Sequence, residues 1–154
     1  MAPVRFIAGL LRRFSKQNSG FSESAGNPDH EFGREGERLA ARYLRRNGYK
    51  VLYRNFRGPH GGEVDLVCRD KTCNTLAFVE VKSRSSVAFG TPGEAVTREK
   101  QKLIARGALA WLDLLGRPPI HFRFDIVEIV VETDTPTFHL IKDAFKLPEQ
   151  YVYE

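Results

Sequence analysis

Apolar and polar residues follow two kinds of spacing along the chain, and these patterns predict its helices and strands. Residues 29–47 and 94–115 carry apolar side chains three and four positions apart, which is typical of amphipathic helices. Shorter apolar segments bounded by turn residues predict strands at 49–56, 63–70, 75–83, 120–132 and 137–142. The resulting order α-β-β-β-α-β-β predicts an α/β fold with a mixed central sheet flanked by helices.

Composition divides the chain of 154 residues into three segments. Residues 1–28 carry four basic residues and one acidic residue, and 15–28 are rich in Ser, Gly and Asn. We expect a basic arm and flexible linker over 1–28, a folded domain over 29–143 and a C-terminal tail over 144–154. The arm either forms a short amphipathic helix that touches a membrane surface, a partner or nucleic acid, or simply frays.

Charge and apolar content limit the class of protein. The net charge is +5, but the arm holds +3 of it and the remaining residues only +2, so charge alone is weak evidence for a polyanionic partner. No apolar run reaches the roughly 18 residues of a membrane-spanning helix. Because the apolar stretch at 6–11 is also too short for a signal peptide, we expect a cytoplasmic protein. Cys68 and Cys73 are then expected to be free thiols.

Charged residues interrupt two strands that are otherwise apolar. Glu80 and Lys82 lie two positions apart and share one face of their strand, as do Glu63 and Asp65 in the preceding strand. If residues 71–74 form the loop of a hairpin, Asp65 faces Glu80 and Glu63 faces Lys82. Opposed carboxylates about 5 Å apart at Cβ repel each other and lose solvation.

Two interpretations fit this pattern. A hard divalent cation such as Mg²⁺ or Mn²⁺ would offset both penalties, since it binds one or two carboxylates together with water and substrate phosphate. Alternatively, the residues form a salt-bridged polar face in which Glu63 pairs with Lys82, and Glu80 with an arginine.

Each predicted helix places one charged residue on its apolar side. Glu37 lies within the arc of small and apolar residues of the first helix, where it needs a partner at the core, and a buried ion pair with an arginine is one alternative. Lys100 lies in the middle of the inward arc of the second helix. It either binds a substrate phosphate beside the acidic residues or extends past the helix to water.

Several short motifs in order resemble the restriction-endonuclease-like superfamily, the P-D…(D/E)-x-K nucleases. They are Gly-Arg-Glu-Gly-Glu (33–37), Gly-Glu-Val-Asp-Leu-Val (62–67), Phe-Val-Glu-Val-Lys (78–82), Gly-Glu-Ala-Val (93–96) and Arg-Phe-Asp-Ile-Val (123–127). Within that superfamily the chain resembles, over about residues 30 to 130, the bacterial YraN-type family. These are small predicted endonucleases that are similar to archaeal Holliday-junction resolvases.

The resemblance implies a set of roles. Asp65 and Glu80, together with the carbonyl of Val81, would bind the metal. Lys82 would position the attacking water and offset charge on the phosphate, and Glu37 would lie near the metal. Lys100 and Gln101 match the polar pair that the family carries on the following helix. Val64 stands where the superfamily motif has proline.

We therefore expect a Mg²⁺- or Mn²⁺-dependent endonuclease that acts on nucleic acid, on DNA rather than RNA, with branched DNA and a homodimer as specific expectations. Arg57 and Arg84, near the motif strands, either contact phosphates or are ordinary solvated charges. Two other functions remain open. One is a nucleic-acid-binding module that keeps the fold without catalysis. The other is an adaptor that docks through its basic arm, with a purely structural acidic cluster.

Overall fold

The computed structural model describes residues 28–84, 96–131 and 135–151, and this part of the chain contains two α-helices and five β-strands. In chain order the elements are α1 (Pro28–Arg46), β1 (Tyr49–Arg57), β2 (Glu63–Asp70), β3 (Thr75–Arg84), α2 (Arg98–Leu114), β4 (Phe122–Val130), β5 (Thr137–Phe145) and a short 3₁₀ helix (Glu149–Tyr151). This order confirms the predicted α-β-β-β-α-β-β arrangement. The predicted N-terminal arm lies outside the described residues.

The five strands form one mixed sheet in the order β1-β2-β3-β4-β5. The pairs β1/β2, β2/β3 and β4/β5 are antiparallel, whereas β3 and β4 are parallel and are connected through α2. Asp70 pairs with Thr75, so residues 71–74 form the predicted four-residue loop and the hairpin register is confirmed from there to Leu66 and Val79. The fold is therefore a mixed sheet with a helix on each side.

The sheet separates two apolar cores, because alternate residues of a strand point to opposite faces. The core under α1 contains Ala40, Ala41, Leu44, Leu66, Cys68, Ala77, Val79, Val127 and Ile129. The core under α2 contains Phe56, Val64, Val67, Phe78, Ile104, Ala108, Trp111, Phe124 and Ile126. The small residues on each helix let it approach the sheet closely.

Glycines bring α2 directly against the start of β2. A Cβ atom placed on Gly62 would lie 2.3 Å from the backbone nitrogen of Gly107, and one placed on Gly107 would lie 2.8 Å from the nitrogen of Glu63. Neither position accepts a side chain without movement of the backbone. This contact fixes where Glu63 lies relative to α2.

Some predicted boundaries are wrong. Helix α2 begins at Arg98 rather than at 94, because the side chain of Thr97 caps it by accepting a hydrogen bond from the backbone N–H of Lys100. Residues 94 and 95 themselves lie outside the described part. Strand β5 extends to Phe145 instead of ending at 142, and Leu147 and Tyr151 of the predicted tail pack against the core under α2.

A buried polar network closes the end of the sheet where the β2–β3 loop lies. Arg123 donates hydrogen bonds to Asp125, to Asp70 and to the hydroxyl of Tyr49, with donor–acceptor distances of 2.7–3.1 Å. Tyr49 in turn donates to Asp125 at 2.9 Å. Both carboxylates are fully buried and are satisfied within the network, so it has a structural role.

Of the described helices, none is long and apolar enough to cross a membrane. Cys68, which is buried, and Cys73, which is exposed, are both free thiols, as predicted.

Candidate active site

Asp65 lies where β2 separates from β3. The hydrogen-bonded pairing of the two strands ends at Leu66 and Val79, one residue short of Asp65. Leu66 belongs to the core under α1, whereas Val64 belongs to the core under α2, so the regular alternation of β2 changes at Asp65. Its side chain accepts a hydrogen bond of 2.8 Å from the backbone N–H of Val81. The carboxylate of Asp65 thus takes the place of a strand partner and is held against β3.

Glu80 supplies the second carboxylate of the site from the middle of β3. The residue is 7% exposed, and its Oε2 atom accepts no hydrogen bond from any donor in the described part of the chain. Its carboxyl lies within hydrogen-bonding reach of the Asp65 carboxyl, and two carboxyls can bond only when one of them holds a proton. The predicted convergence of the two acids is therefore present.

Burial and mutual repulsion disfavour ionisation of this pair. Burial, followed by the charge of Asp65, raises the pKa of Glu80 to about 8. Burial also raises the pKa of Asp65, although the hydrogen bond from Val81 opposes the shift. Raised pKa values in both carboxyls, beside an oxygen that has no donor among the described residues, are what two carboxyls show when nearby positive charge does not fully compensate them.

Lys100 of α2 reaches into the acidic residues instead of turning to solvent. Its ammonium contacts Oε1 of Glu63 and lies 3.7 Å from Oε1 of Glu80. Burial acts to lower the pKa of Lys100, but the surrounding carboxylates, chiefly Glu63 and Glu80, outweigh it and raise the pKa. Lys100 therefore lies beside the acidic residues, as one of its two interpretations requires, and its binding of a substrate phosphate stays a prediction.

The expected opposition of Glu63 and Lys82 is wrong. Glu63 forms ion pairs with Lys100 and, at 3.3 Å, with Arg57, because β2 has already left β3 at this position and runs against α2. Glu80 likewise pairs with Lys100 rather than with an arginine. The salt-bridged alternative is thus realised in part, through a lysine from the second helix.

Lys82 is exposed and lies on the same face of β3 as Glu80. Its neighbour in the parallel strand β4 is Glu128, but the carboxylate of Glu128 pairs with Arg84 at 3.1 Å. Within residues 28–84, 96–131 and 135–151, no carboxylate lies within 4.0 Å of the Lys82 ammonium. The charge of Lys82 is therefore available to an incoming anion.

Glu37 of α1 lies near Asp65 and approaches it from the side of the sheet that α1 covers. It is half-buried, and burial followed by the charge of Asp65 raises the pKa of its carboxyl to about 7. The approach of α1 to β3 depends on Gly36, where a Cβ atom would lie 2.7 Å from Oγ of Ser83. The predicted position of Glu37 near Asp65 is consistent with this arrangement.

The remaining candidate residues differ in how exposed their side chains are and in the partners that they already have. Arg57 is 70% exposed and pairs with Glu63, so it lies at the edge of the site. Arg84 is only 11% exposed and pairs with the buried Glu128. Gln101 donates a hydrogen bond of 3.2 Å to the carbonyl of Val96, at the start of α2. A nucleic-acid role therefore suits Arg57 better than Arg84.

The residues present fit a divalent cation that binds through oxygen. The half-buried Asp65 and the buried Glu80 bring two carboxyls together, and one oxygen of Glu80 has no donor among the described residues. In the described ranges, no three His, Cys, Asp or Glu side chains converge as a complete metal cage. The two carboxylates would therefore share the ion with main-chain, water and substrate oxygens, which is how Mg²⁺ is commonly held.

Glu63 is the residue at this centre whose partner the sequence mispredicted, because it pairs with Lys100 and not with Lys82. A signal was present, because Lys100 on the inward arc of a helix requires an anionic partner. Lys100 pairs with Glu63 because Gly62 and Gly107 are in contact, and this contact joins parts of the chain that are distant in sequence. A separate apolar groove, lined among others by Leu112, Ile120 and Tyr151, lies near the C-terminal end of α2 and contains none of the predicted site residues.

The comparisons with known proteins identify the family. A family model described as "Uncharacterised protein family UPF0102" matches residues 36–129. The chain is 47% identical over 116 residues to a UPF0102 protein of Geobacter sulfurreducens, covering 75% of this chain and 88% of that one. It is 43% identical over 123 residues to a UPF0102 protein of Trichlorobacter lovleyi, covering 79% and 95% of the two chains. A UPF0102 protein of Nocardia farcinica is 45% identical over 114 residues, covering 74% and 85%.

The segment matched by the family model contains all the residues assembled at the acidic centre, from Glu37 on α1 to Lys100 on α2. The chain belongs to the UPF0102 family, which is the YraN-type family of the restriction-endonuclease-like superfamily that its motifs resemble.

Proposed function

We propose that this protein binds Mg²⁺ or Mn²⁺ at Asp65 and Glu80 and hydrolyses phosphodiester bonds in nucleic acid, as an endonuclease that acts on DNA. The observation that carries the proposal is the pairing of the half-buried Asp65 carboxyl with the buried Glu80 carboxyl. Within the part of the chain that the structure describes, one oxygen of Glu80 has no donor, and Lys82 on the same face has no carboxylate within 4.0 Å. A pair of this kind without a ligand lowers stability, so a purely structural role does not explain it.

Each residue contributes a distinct step. A bound divalent cation supplies positive charge and Lewis acidity at the phosphate. Asp65 and Glu80 would hold that ion, and the carbonyl of Val81, the residue that follows Glu80, would be a further oxygen ligand. The positive charge of the Lys82 ammonium can stabilise the negative charge that develops on the phosphate oxygens. The carboxyl of Glu37, with a pKa of about 7, can hold or release a proton near neutral pH.

The surface beside the site suits a polyanion. Arg34, Arg54 and Arg57 are exposed, and all three act electrostatically on the Glu37 carboxyl, so they lie around the same centre. Nucleic-acid backbones are bound mainly through contacts of this type between basic side chains and phosphates. Branched DNA, bound by a homodimer, is the substrate that we propose to test first.

The proposal is tested with the full chain in two measurements, thermal stabilisation by Mn²⁺ and cleavage of junction, flap, nicked and single-stranded DNA. Asp65→Asn and Glu80→Gln are expected to lose both the stabilisation and the cleavage, because each removes a metal ligand. Lys82→Met is expected to keep the Mn²⁺ stabilisation but to lose about 100-fold or more in cleavage rate, since its charge acts on the phosphate.

Glu99→Gln is the matched control, because Glu99 is an exposed carboxylate in the first turn of α2. This variant should retain both properties. If the wild type is stabilised by Mn²⁺ and binds DNA but cuts none of the substrates, the protein is a binding module and not an enzyme. Cleavage that survives in Asp65→Asn would place the active site elsewhere.

A further inference from the structure

The acidic centre contains a cation of its own, the ammonium of Lys100. This group contacts Glu63 and lies 3.7 Å from Oε1 of Glu80, whose side chain is 9% exposed. A divalent ion bound to Glu80 would place further positive charge within a few ångströms of the ammonium. Because like charges at that range repel strongly in a partly buried site, the lysine and the metal compete for the same carboxylate.

Both the backbone and the side chain of Lys100 are held in place. Its backbone N–H is bound by the Thr97 cap at the start of α2, and its partner Glu63 is held by the contact of Gly107 against β2. Arg57 pairs with the other oxygen of Glu63. The ammonium therefore has a fixed anchor at Glu63 and a second, looser contact at Glu80.

We propose that Lys100, tethered by Glu63, is a built-in counter-ion of the metal site. It neutralises Glu80 in the metal-free protein, leaves Glu80 when the divalent cation binds, and stays on Glu63 within reach of a substrate phosphate. The inference rests on the proposed function and adds Glu63 as a positioning residue. One oxygen of Glu80 has no donor in residues 28–84, 96–131 and 135–151, which is independent support, because the lysine meets only part of what this buried carboxyl requires.

The proposal predicts effects of opposite sign for the two partners. Loss of the Lys100 charge removes the competitor, so the metal should bind more tightly. Loss of the Glu63 charge removes an anion that favours the metal. Lys100 can then pair only with Glu80, so the metal should bind more weakly. A merely structural ion pair would behave differently, since breaking it from either side would loosen the site and weaken metal binding in both variants.

The test is calorimetric titration of the full chain with Mn²⁺ in the absence of nucleic acid. Lys100→Met is expected to bind Mn²⁺ about tenfold more tightly and Glu63→Gln about tenfold more weakly, an effect that one charge several ångströms away can supply in a partly solvated site. Lys100→Arg keeps the charge and should stay within about twofold of the wild type. Despite its tighter metal binding, Lys100→Met should cleave DNA more slowly, because the phosphate has lost a cation.

Two controls change the same charges at other places on α2. Lys102→Met removes a lysine two residues along the helix, and Glu99→Gln removes an exposed carboxylate of its first turn. If Lys100→Met binds Mn²⁺ no more tightly than Lys102→Met, the counter-ion role is wrong. If the opposite shifts are seen but no variant cleaves DNA, the inference holds and the enzymatic proposal fails. A wild type that does not bind Mn²⁺ overturns both.

Discussion

Asp70 and Arg123 show what burial does to a charged residue at the end of β2 away from Glu63. Asp70 is fully buried, and Arg123 donates to its carboxylate at 2.7 Å. Burial acts to raise the pKa of Asp70, but hydrogen bonds from Arg123, Thr72 and Lys142 outweigh it and hold the pKa well below the ordinary value of 3.8. A carboxyl with a lowered pKa stabilises the folded state above the pKa of the unfolded chain, and this stability is lost as the pH falls.

Asp70→Asn is therefore expected to lower the free energy of unfolding by about 3 kcal/mol at pH 7, because Arg123 loses a buried partner. The deficit should shrink as the pH falls below about 4, because the unfolded wild type then takes up a proton at Asp70 while the folded carboxylate stays charged. Urea unfolding of both proteins at pH 7 and near pH 3 measures this. Asp113→Asn, at an exposed ion pair on α2, should change stability by less than about 1 kcal/mol at either pH. An Asp70→Asn deficit equal at both pH values would contradict the assignment.

Among the elements, the packing of α2 against β2 sets the geometry of the site. Gly107→Ala would drive a Cβ atom into the backbone of Glu63, 2.8 Å away, so the helix or the strand must shift. We expect a loss of about 1–3 kcal/mol in the free energy of unfolding, as in other overpacked cores.

The control for Gly107→Ala is Gly33→Ala. Gly33 is a helical glycine of α1, and nothing lies within 4 Å of a Cβ atom added there. It should gain about 0.5–1 kcal/mol from helix propensity alone. Denaturant unfolding of both variants measures the contrast. Equal stabilities would mean that the close approach of α2 to β2 does not constrain the fold.

The same contact marks the limit of what the sequence predicts. The period of two and the loop at 71–74 fix the hairpin register, so the closeness of Asp65 and Glu80 could be foreseen. The helical period likewise places Lys100 on the inward arc of α2. The separation of β2 from β3 at Asp65 could not be foreseen, because it depends on Val64 packing under α2, a long-range contact. For the same reason Glu63 was matched with Lys82 instead of Lys100.

The whole molecule combines an acidic centre with exposed arginines around it. Arg57, for example, is 70% exposed and acts on Glu37 together with Arg34 and Arg54. The acids alone would repel a phosphate backbone, so an approach of nucleic acid requires basic groups beside them. Since each phosphate contact releases counter-ions, the contribution of these arginines can be read from the salt dependence of binding.

Replacing Arg34, Arg54 and Arg57 together by glutamine is expected to weaken DNA binding and to lower the slope of log affinity against log salt by about 2–3, near 0.9 for each lost contact. A triple replacement of Lys71, Arg117 and Lys146, which are also exposed but lie in the β2–β3 turn, after α2 and after β5, removes the same charge. It should leave the slope unchanged if binding is local to the site. Fluorescence anisotropy over a salt series, without divalent cation, separates binding from cleavage. Equal loss of slope in both triples would mean that DNA responds to net charge alone, and the surface around Glu37 would then have no special part in recognition.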